Sequence, residues 1–559
     1  MIRIGYFTAA RRHIARYREV ANILSRHGFG LVLDRLGLYR FVPLPRRVFR
    51  LSPSGRAPLP PPERLRLALE ELGPTAVKFG QMLSTRPDLL PPQFIRELEK
   101  LQDAVPPFSQ AEVRALVEAE LGIRPEEIFA AFEPEPLAAA SLAQVHQAKL
   151  WGGEEVVVKI QRPGVEQKIE TDLEILRELA QFTERHSDWG KLYRPTEIVE
   201  EFAHTVHEEL DFKNEGRNIE QFRRNFADDP SVYIPKVYWK YTSRRILILE
   251  RLQGIKISNL DQLEASGLDR RTIAANLARA ILRQILIHGF FHADPHPGNI
   301  LVTGDGTIVF MDFGMVGCLD EDMKRKLVEI VRALEYRDVD RIAQGLLEIG
   351  LVPLQIELRA LRYDIARLLR RYYNVPLSQI PIGQCLNEAF SLAYKYQVRI
   401  PPELVRLART LVILESVTMQ LDPELSIVDV AEPFGRELLR QRFSSRRLRE
   451  SFTRSFAELA TLVETLPWGI NQLTRLLENG ELRLRLEPVT QQPPPRENLG
   501  SRLALALVTA AGIFGSVLLI QIDKGPALWG MSIFGLIGLA ASALLALWLV
   551  ALIALSRRP

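Results

Sequence analysis

Three oxygen-bearing side chains at fixed spacing constrain this chain more than any other feature. Asp294 precedes Asn299 by five residues, and Asn299 precedes Asp312 by thirteen. They sit in His292-Ala-Asp294-Pro-His296-Pro-Gly-Asn299 and in Asp312-Phe-Gly314. Between them, the β-rich runs Ile300–Val302 and Thr307–Met311 flank Gly304-Asp305-Gly306, a hairpin signal. A hairpin returns the chain on itself, so Asn299 and Asp312 are expected to meet at its open end. Amide and carboxylate oxygens there suit a hard cation such as Mg²⁺. Phosphoryl transfer needs such a cation to neutralise phosphate oxygens, with a positioned Asp beside it. A rival reading makes His292, Asp294 and His296 a transition-metal site. Pro295 and Pro297 argue for a fixed loop instead, and no second His-rich cluster supplies further ligands.

Kinases space a catalytic Asp, a metal-binding Asn and a metal-binding Asp in this way. An ATP site also needs a cation for the phosphates and a covering loop. Lys159 closes the run Val156-Val157-Val158, the pattern of the phosphate-pairing lysine on a kinase third strand. Ahead of it, where a kinase has its Gly-rich loop, stands Ala138-Ala139-Ala140-Ser141. Alanine confines φ and adds a methyl group, so this loop should be stiffer and approach phosphate less closely. A helix expected over about 200–225 carries Glu209, Asp211 and Glu215. Their spacings of two and six residues put them on different faces, so they should serve different partners. Lys78-Phe-Gly80-Gln81, continuing to Ser84 and Arg86, reads on its own as a helix turn with an exposed Lys. After Gly314 only about six residues precede a charged helical run from Glu321, and no Ala-Pro-Glu follows. That leaves little room for the activation segment of an ordinary protein kinase.

The rest of the sequence organises around this centre. Two cysteines, Cys318 and Cys385, exclude a disulfide scaffold and a four-thiolate zinc site. There is no Gly-x-Gly-x-x-Gly dinucleotide fingerprint. The net charge of +4 is a cancellation. The first 60 residues hold twelve Arg against Glu19 and Asp34, and the middle of the chain is mildly acidic. Residues 5–40 read as amphipathic helices, 63–103 as helices broken at Gly73-Pro74 and Pro91-Pro92, and 320–480 as helices. Leu503–Ile522 and Ala527–Leu555 carry no formal charge, joined by Asp523-Lys524-Gly525-Pro526. Each meets the length of a membrane span, and the flanking arginines place both chain ends in the cytoplasm. The other reading of these stretches is a buried helical hairpin. Small residues at Ala511/Gly515, Gly512/Ser516 and Gly538/Ser542 permit close helix contact, and with it a dimer. The basic first segment is then better suited to an anionic membrane surface than to nucleic acid.

Together these residues resemble the UbiB/aarF family of atypical kinases, which includes bacterial UbiB and the mitochondrial coenzyme Q kinase-like proteins. The likeness spans about residues 65–430. It implies an α+β, protein-kinase-like two-lobed fold, strongly helical, with an N-terminal helical extension and a C-terminal transmembrane hairpin. The expected divisions are a basic segment 1–62, the extension 63–130 and a kinase-like domain 131–430, with lobes at about 131–255 and 256–430. A helical segment and linker 431–500 and two spans at about 503–522 and 527–555 follow. The resemblance implies that Lys78, Gly80 and Gln81 belong to a cover over the site and that Lys78 meets Glu209 and Asp211. It implies nucleotide binding by Ala138, Ala139, Ala140, Ser141, Lys159 and Glu250, pairing of Lys159 with Glu215, and Mg²⁺ held by Asn299 and Asp312. Asp294 takes the catalytic-loop position. The implied activity is that of a membrane-anchored ATPase or small-molecule kinase supporting isoprenoid quinone synthesis. Its cofactors are ATP and Mg²⁺, and its partners include quinone-biosynthesis proteins or prenylated precursors. The alternatives are a nucleotide-switched pseudokinase scaffold and a protein kinase.

Overall fold

A computed structural model of the chain describes residues 15–29, 59–101, 105–187, 194–350, 357–372 and 381–442, with isolated positions elsewhere and short pieces between 509 and 546. The first helix, α1, covers 15–26. Helices α2 (Pro61–Leu72), α3 (Pro74–Ser84) and α4 (Pro92–Leu98) follow. Each of these three starts on proline, whose missing N–H and fixed φ suit the first helical position. Their apolar faces meet through Leu69, Leu72, Val77, Leu98 and Leu101, joined by Ile23 of α1. Arg16 of α1 donates to Asp172 at 2.7 Å and to the Leu72 carbonyl at 2.7 Å. One charge of the basic first segment thus serves an internal contact.

Helix α5 (Gln110–Leu121) opens with a capping box between Ser109 and Glu112. A sheet follows, with strands β1 (Phe129–Phe132), β2 (Ala138–Ala139), β3 (Ala143–Leu150), β4 (Glu155–Gln161) and β6 (Ile246–Glu250). The antiparallel order is β1-β3-β4-β6, with β2 on β3. Alternation along β4 turns Val156, Val158 and Ile160 into a core with Val113 and Val117 of α5. Each such side chain contributes about 1.5–3 kcal/mol by burial. The same alternation leaves Lys159 on the opposite face.

Helices α6 (Val165–His186), α7 (Pro195–Leu210) and α8 (Phe212–Asn225) lie between β4 and β6. The single helix expected over 200–225 is two, because Asp211 leaves helical geometry and caps α8 through Lys213 N–H at 3.0 Å. A second sheet orders β5 (Val232–Tyr233), β10 (Ile308–Phe310), β9 (Ile300–Val302) and β7 (Ile255–Lys256). Strands β9 and β10 form the expected hairpin, with Ile308 opposite Val302. The helical run expected over 257–289 is Leu260–Ala265, then α9 (Arg270–Leu282), which ends in a π-turn at Arg283–His288. Strand β8 (Phe290–His292) pairs with β11 (Val316–Cys318). Gly317 is required there, since a Cβ would enter the Phe291 ring. Helices α10 (Glu321–Glu335), α11 (Val339–Ile349), α12 (Leu358–Arg371), α13 (Ile382–Lys395), α14 (Pro402–Leu421) and α15 (Ile427–Arg442) complete this unit. Glu415 of α14 accepts from the N–H groups of Ile382 and Gly383 at 2.6 and 2.7 Å, which ties α13 to α14. The architecture is α+β and rich in helix, as expected.

The expectation of a membrane hairpin is overturned. Among the described residues no helix is long and apolar enough to cross a membrane, and the multi-pass placement with both termini in the cytoplasm falls with it. Most of 503–522 and 527–555 lies outside the described residues, as do the helices expected after 442 and most of 1–62. Where the second span should begin, Ala527–Leu528 pairs antiparallel with Met531–Ser532. Pro526 and Gly530 in the sequence are both poor helix formers, which disfavours a helix starting there. The small residues singled out by spacing meet within one chain. Gly512 lies against Ser542, and Gly538 against the side chain of Ser516.

His146 on β3 is fully buried and stacks on Phe132 at 4.9 Å. Its Nδ1 lies 2.9 Å from the Glu133 carbonyl and its Nε2 2.8 Å from the Gln144 amide nitrogen. The neutral Nδ1–H tautomer satisfies both contacts. Burial pushes its pKa below the ordinary value, opposed by the Glu133 carbonyl. The folded state therefore resists protonation that the unfolded chain accepts below about pH 6.5. Stability from this residue is full above that pH and falls on acidification. Denaturant melts of wild type and His146→Gln from pH 7.5 to 5 should show a shallower acid loss in the variant, by up to about 1.4 kcal/mol per pH unit.

Candidate active site

The site is built on the face of β4 opposite its apolar core. Lys159 is held in register between Val145 of β3 and Leu247 of β6. Its Nζ lies 2.8 and 3.1 Å from the two carboxylate oxygens of Glu215 and 3.6 Å from Asp312. It also stands over the Phe212 ring at 5.4 Å. Burial alone would lower the lysine, but Asp312 and Glu215 outweigh it and hold Lys159 charged, with its pKa raised. In turn Lys159 draws Asp312 below the usual carboxylate range, with help from the Gly314 N–H.

Helix α8 aligns this centre with the Asp-Phe-Gly segment. Glu215, Asn218 and Phe222 recur at helical spacing on one face. Glu215 meets Lys159, Asn218 donates to the Phe313 carbonyl at 3.0 Å, and Phe222 packs on the Phe313 ring at 4.9 Å. Asp312 adopts φ +54°, a sparsely populated conformation for a residue with a side chain. Its Oδ1 accepts from Gly314 N–H at 3.2 Å, and the side chain is 55% exposed.

The loop around Asp294 is shaped by His292. The imidazole is buried, with Nε2 3.1 Å from the Met311 carbonyl and Nδ1 accepting from Asp294 N–H at 3.1 Å. Only the neutral Nε2–H tautomer makes both bonds, and burial lowers its pKa accordingly. His292 and His296 are thus structural. His296 caps a short turn through Gly298 N–H at 3.2 Å. Asn299 donates from Nδ2 to the Asp294 carbonyl at 3.3 Å, which leaves its amide oxygen as an acceptor. That oxygen and the Asp312 carboxylate are hard donors of the kind Mg²⁺ takes. Among the described residues no group of three or more His, Cys, Asp or Glu forms a metal cage. Such a sparse donor set fits an ion that keeps its waters and shares substrate phosphates.

The remaining residues expected at the site divide. Ala138 and Ala139 form β2 and pair with Val145 and Gln144, so half of the expected loop is strand. Ala140 N–H donates to the Ala143 carbonyl at 2.8 Å, closing a tight turn over Ser141. The Ser141 hydroxyl is buried there without a hydrogen-bond partner. Arg162 braces the turn from behind. It donates to the carbonyls of Ala140 and Pro106 at 3.2 and 2.9 Å. The Glu250 carboxylate is turned to the Tyr233 hydroxyl at 2.9 Å and Lys236 N–H at 3.1 Å.

Lys78 pairs with Glu209 at 3.1 Å, while Asp211 caps α8 instead. Gln81 donates to the Leu101 carbonyl at 3.3 Å. Gly80 lies where a Cβ would strike Leu101 and Leu69, so it permits close packing of α3. Arg86, buried, grips Asp88 with two bonds of 2.9 Å and reaches Glu201 of α7 at 2.6 Å. Phe79 packs edge-on against Phe202 of α7 at 5.1 Å. The motif therefore joins the extension to α7.

Sequence reasoning missed Asn218, Arg162 and Arg409. Arg409 of α14 donates to Asp294 Oδ1 at 2.9 Å. No local signal in the sequence marks it, since its partner lies 115 residues away.

Comparison with known proteins gives three family matches: the ABC1 atypical kinase-like domain over residues 100–346, the UbiB helical domain over 365–426 and the ABC1/UbiB kinase-like C-terminal domain over 497–555. An uncharacterized protein of Synechocystis is 38% identical over 76% of this chain and 73% of its own length. A protein of Cellvibrio japonicus named probable protein kinase UbiB is 37% identical over 83% of this chain and 85% of its own. Among solved structures, a Mycobacterium tuberculosis protein in complex with erythromycin is similar at 23% identity, covering 65% of this chain and 93% of that one, with a TM-score of 0.46.

Lys159→Met leaves the Glu215 carboxylate enclosed without its ammonium. Removing one partner of a buried pair costs about 3–5 kcal/mol, whereas replacing both with apolar groups is far cheaper. In thermal or denaturant unfolding, Lys159→Met should be markedly less stable than wild type. Lys159→Met/Glu215→Leu should recover a large part of the loss.

Proposed function

This chain belongs to the ABC1/UbiB kinase-like family, and on that premise we propose that it is an atypical kinase acting on ATP–Mg²⁺. In this reading it hydrolyses ATP or phosphorylates a small molecule in support of isoprenoid quinone biosynthesis. The observation that carries the reading is the Lys159–Glu215 pair with Asp312 at 3.6 Å, facing the loop that holds Asp294 and Asn299. A relative 37% identical is named a probable protein kinase, which supports a phosphotransferase class.

Lys159 would bind the nucleotide phosphates, with Glu215 keeping its ammonium in place. Asn299 and Asp312 would hold Mg²⁺, which supplies charge neutralisation at the phosphate oxygens. The turn from Ala138 to Ser141 would close over the nucleotide, and the orphaned Ser141 hydroxyl is the polar atom there still to be satisfied. Asp294 would receive the proton of the attacking hydroxyl or water. Only Leu319 and Asp320 separate β11 from α10. The space after Asp312-Phe-Gly314 is thus too short for a peptide platform, which favours water or a small acceptor over a protein substrate.

The scaffold reading, in which nucleotide acts only as a switch, draws on the Lys78–Glu209 bridge and the braced alanine turn. The two readings separate in one experiment. Purified wild type should bind ATP and release phosphate, and more so with quinone-precursor phenols. Asp312→Asn should lose at least about a hundredfold in turnover. Phosphate release equal in wild type and Asp312→Asn removes the catalytic reading and leaves the switch.

A further inference from the structure

The segment from Phe290 to Ile300 contains no lysine or arginine. A phosphoryl group in transfer carries charge on three oxygens, and its stabilisation calls for a cation close to the attacking side. The loop that carries Asp294 cannot supply one.

Helix α14 does. Arg406, Arg409 and Thr410 share one helix face at spacings of three and four. Arg406 donates to the Val316 carbonyl at 3.3 Å, Thr410 donates to the His292 carbonyl at 3.1 Å, and Arg409 Nη2 lies 2.9 Å from Asp294 Oδ1. The three contacts fix α14 against β8, β11 and the Asp294 loop. Thr410 is fully buried, so this side of the helix is an anchor. Arg409 and Asp294 are different, since their side chains remain 36% and 27% exposed. The Asp294 loop and α14 thus meet at one partly exposed guanidinium.

We propose that Arg409 is the cation missing from the catalytic loop: it holds Asp294 in place before turnover and donates to the transferred phosphoryl oxygens during it. This rests on the phosphoryl-transfer reading above. The bond from the γ-phosphorus to the oxygen bridging to the β-phosphorus breaks, and its electron pair leaves on ADP. The oxygen of water, or of an acceptor hydroxyl, forms the new bond to phosphorus. The proton it loses passes to the Asp294 carboxylate and then to solvent. Arg409 takes no proton, because a guanidinium stays charged throughout. Its five donors in a planar fork let it bridge a carboxylate and a phosphoryl oxygen at once.

The test uses the full chain and three readouts: ATP affinity by direct binding, ATP turnover at saturation, and thermal melting. Arg409→Met should lower kcat by about a hundredfold with ATP affinity within about threefold of wild type. Arg409→Lys keeps the charge but loses the fork, and should recover at least about a tenth of wild-type turnover. Arg409→Ala should regain activity on adding millimolar guanidinium, a response that a merely structural contact does not give. In an Asp294→Asn background, Arg409→Met should add little further loss, since the two act as one unit. Turnover of Arg409→Met within about threefold of wild type overturns the proposal. A loss that follows melting and answers neither to Lys nor to guanidinium overturns it too. Wild type that neither binds nor hydrolyses ATP removes the phosphoryl-transfer reading itself, and this inference with it.

Discussion

The ion pair between Lys159 and Glu215 is the joint on which the site depends. It ties the sheet to α8, and α8 in turn holds the Asp-Phe-Gly segment through Asn218 and Phe222. A buried carboxylate and ammonium gain little net stability over apolar replacements. Their value here is positional. With Lys159 bonded to both oxygens of Glu215, the lysine cannot rotate away, and Asp312 comes to rest 3.6 Å from it. Three elements far apart in sequence are thereby brought to one point.

The extension is attached to this joint by a different kind of contact. Arg86 is buried with two carboxylates, and Phe79 and Gly80 fill apolar contacts, so this part of α3 and its following turn are anchored to α7. Lys78, in contrast, makes an ion pair with Glu209 near the lysine–glutamate joint, and the field of Glu209 reaches Lys159. The extension is therefore held by buried contacts around Arg86 and Phe79 and by an ion pair at Lys78.

Much of this was legible in the sequence because it follows local rules. The hairpin from Ile300 to Phe310, the strand carrying Lys159 and the proline-led helices of the extension all rest on turn chemistry and periodicity. The spacing of Glu209 and Glu215 pointed to different partners, and the structure supplies Lys78 and Lys159. Two kinds of feature were hidden. Asp211 was read as part of a continuous helix, although Asp at a break is a natural cap, because the apolar pattern runs across it. Arg409 was invisible because its partner lies 115 residues away and nothing local distinguishes a docking arginine from a solvated one. The apolar C-terminal runs misled for the opposite reason. Length and absence of charge are averages, and they do not register that Pro526 and Gly530 favour a turn where the second span was expected to start.

The shortness of the segment after Asp312-Phe-Gly314 explains why α14 matters. With Leu319 and Asp320 alone between β11 and α10, this stretch has no long loop with which to order the Asp294 segment. That task passes to α14. The helix secures β11 through Arg406, the Asp294 loop through Thr410 and Asp294 itself through Arg409. It is secured in turn by its Glu415, which accepts from the first N–H groups of α13. A helix is a stiffer support than a loop, and it admits few rearrangements. The same substitution appears next to β3, where an alanine turn braced by Arg162 stands at the position of a kinase's glycine loop. Both exchanges replace a mobile element with a fixed one.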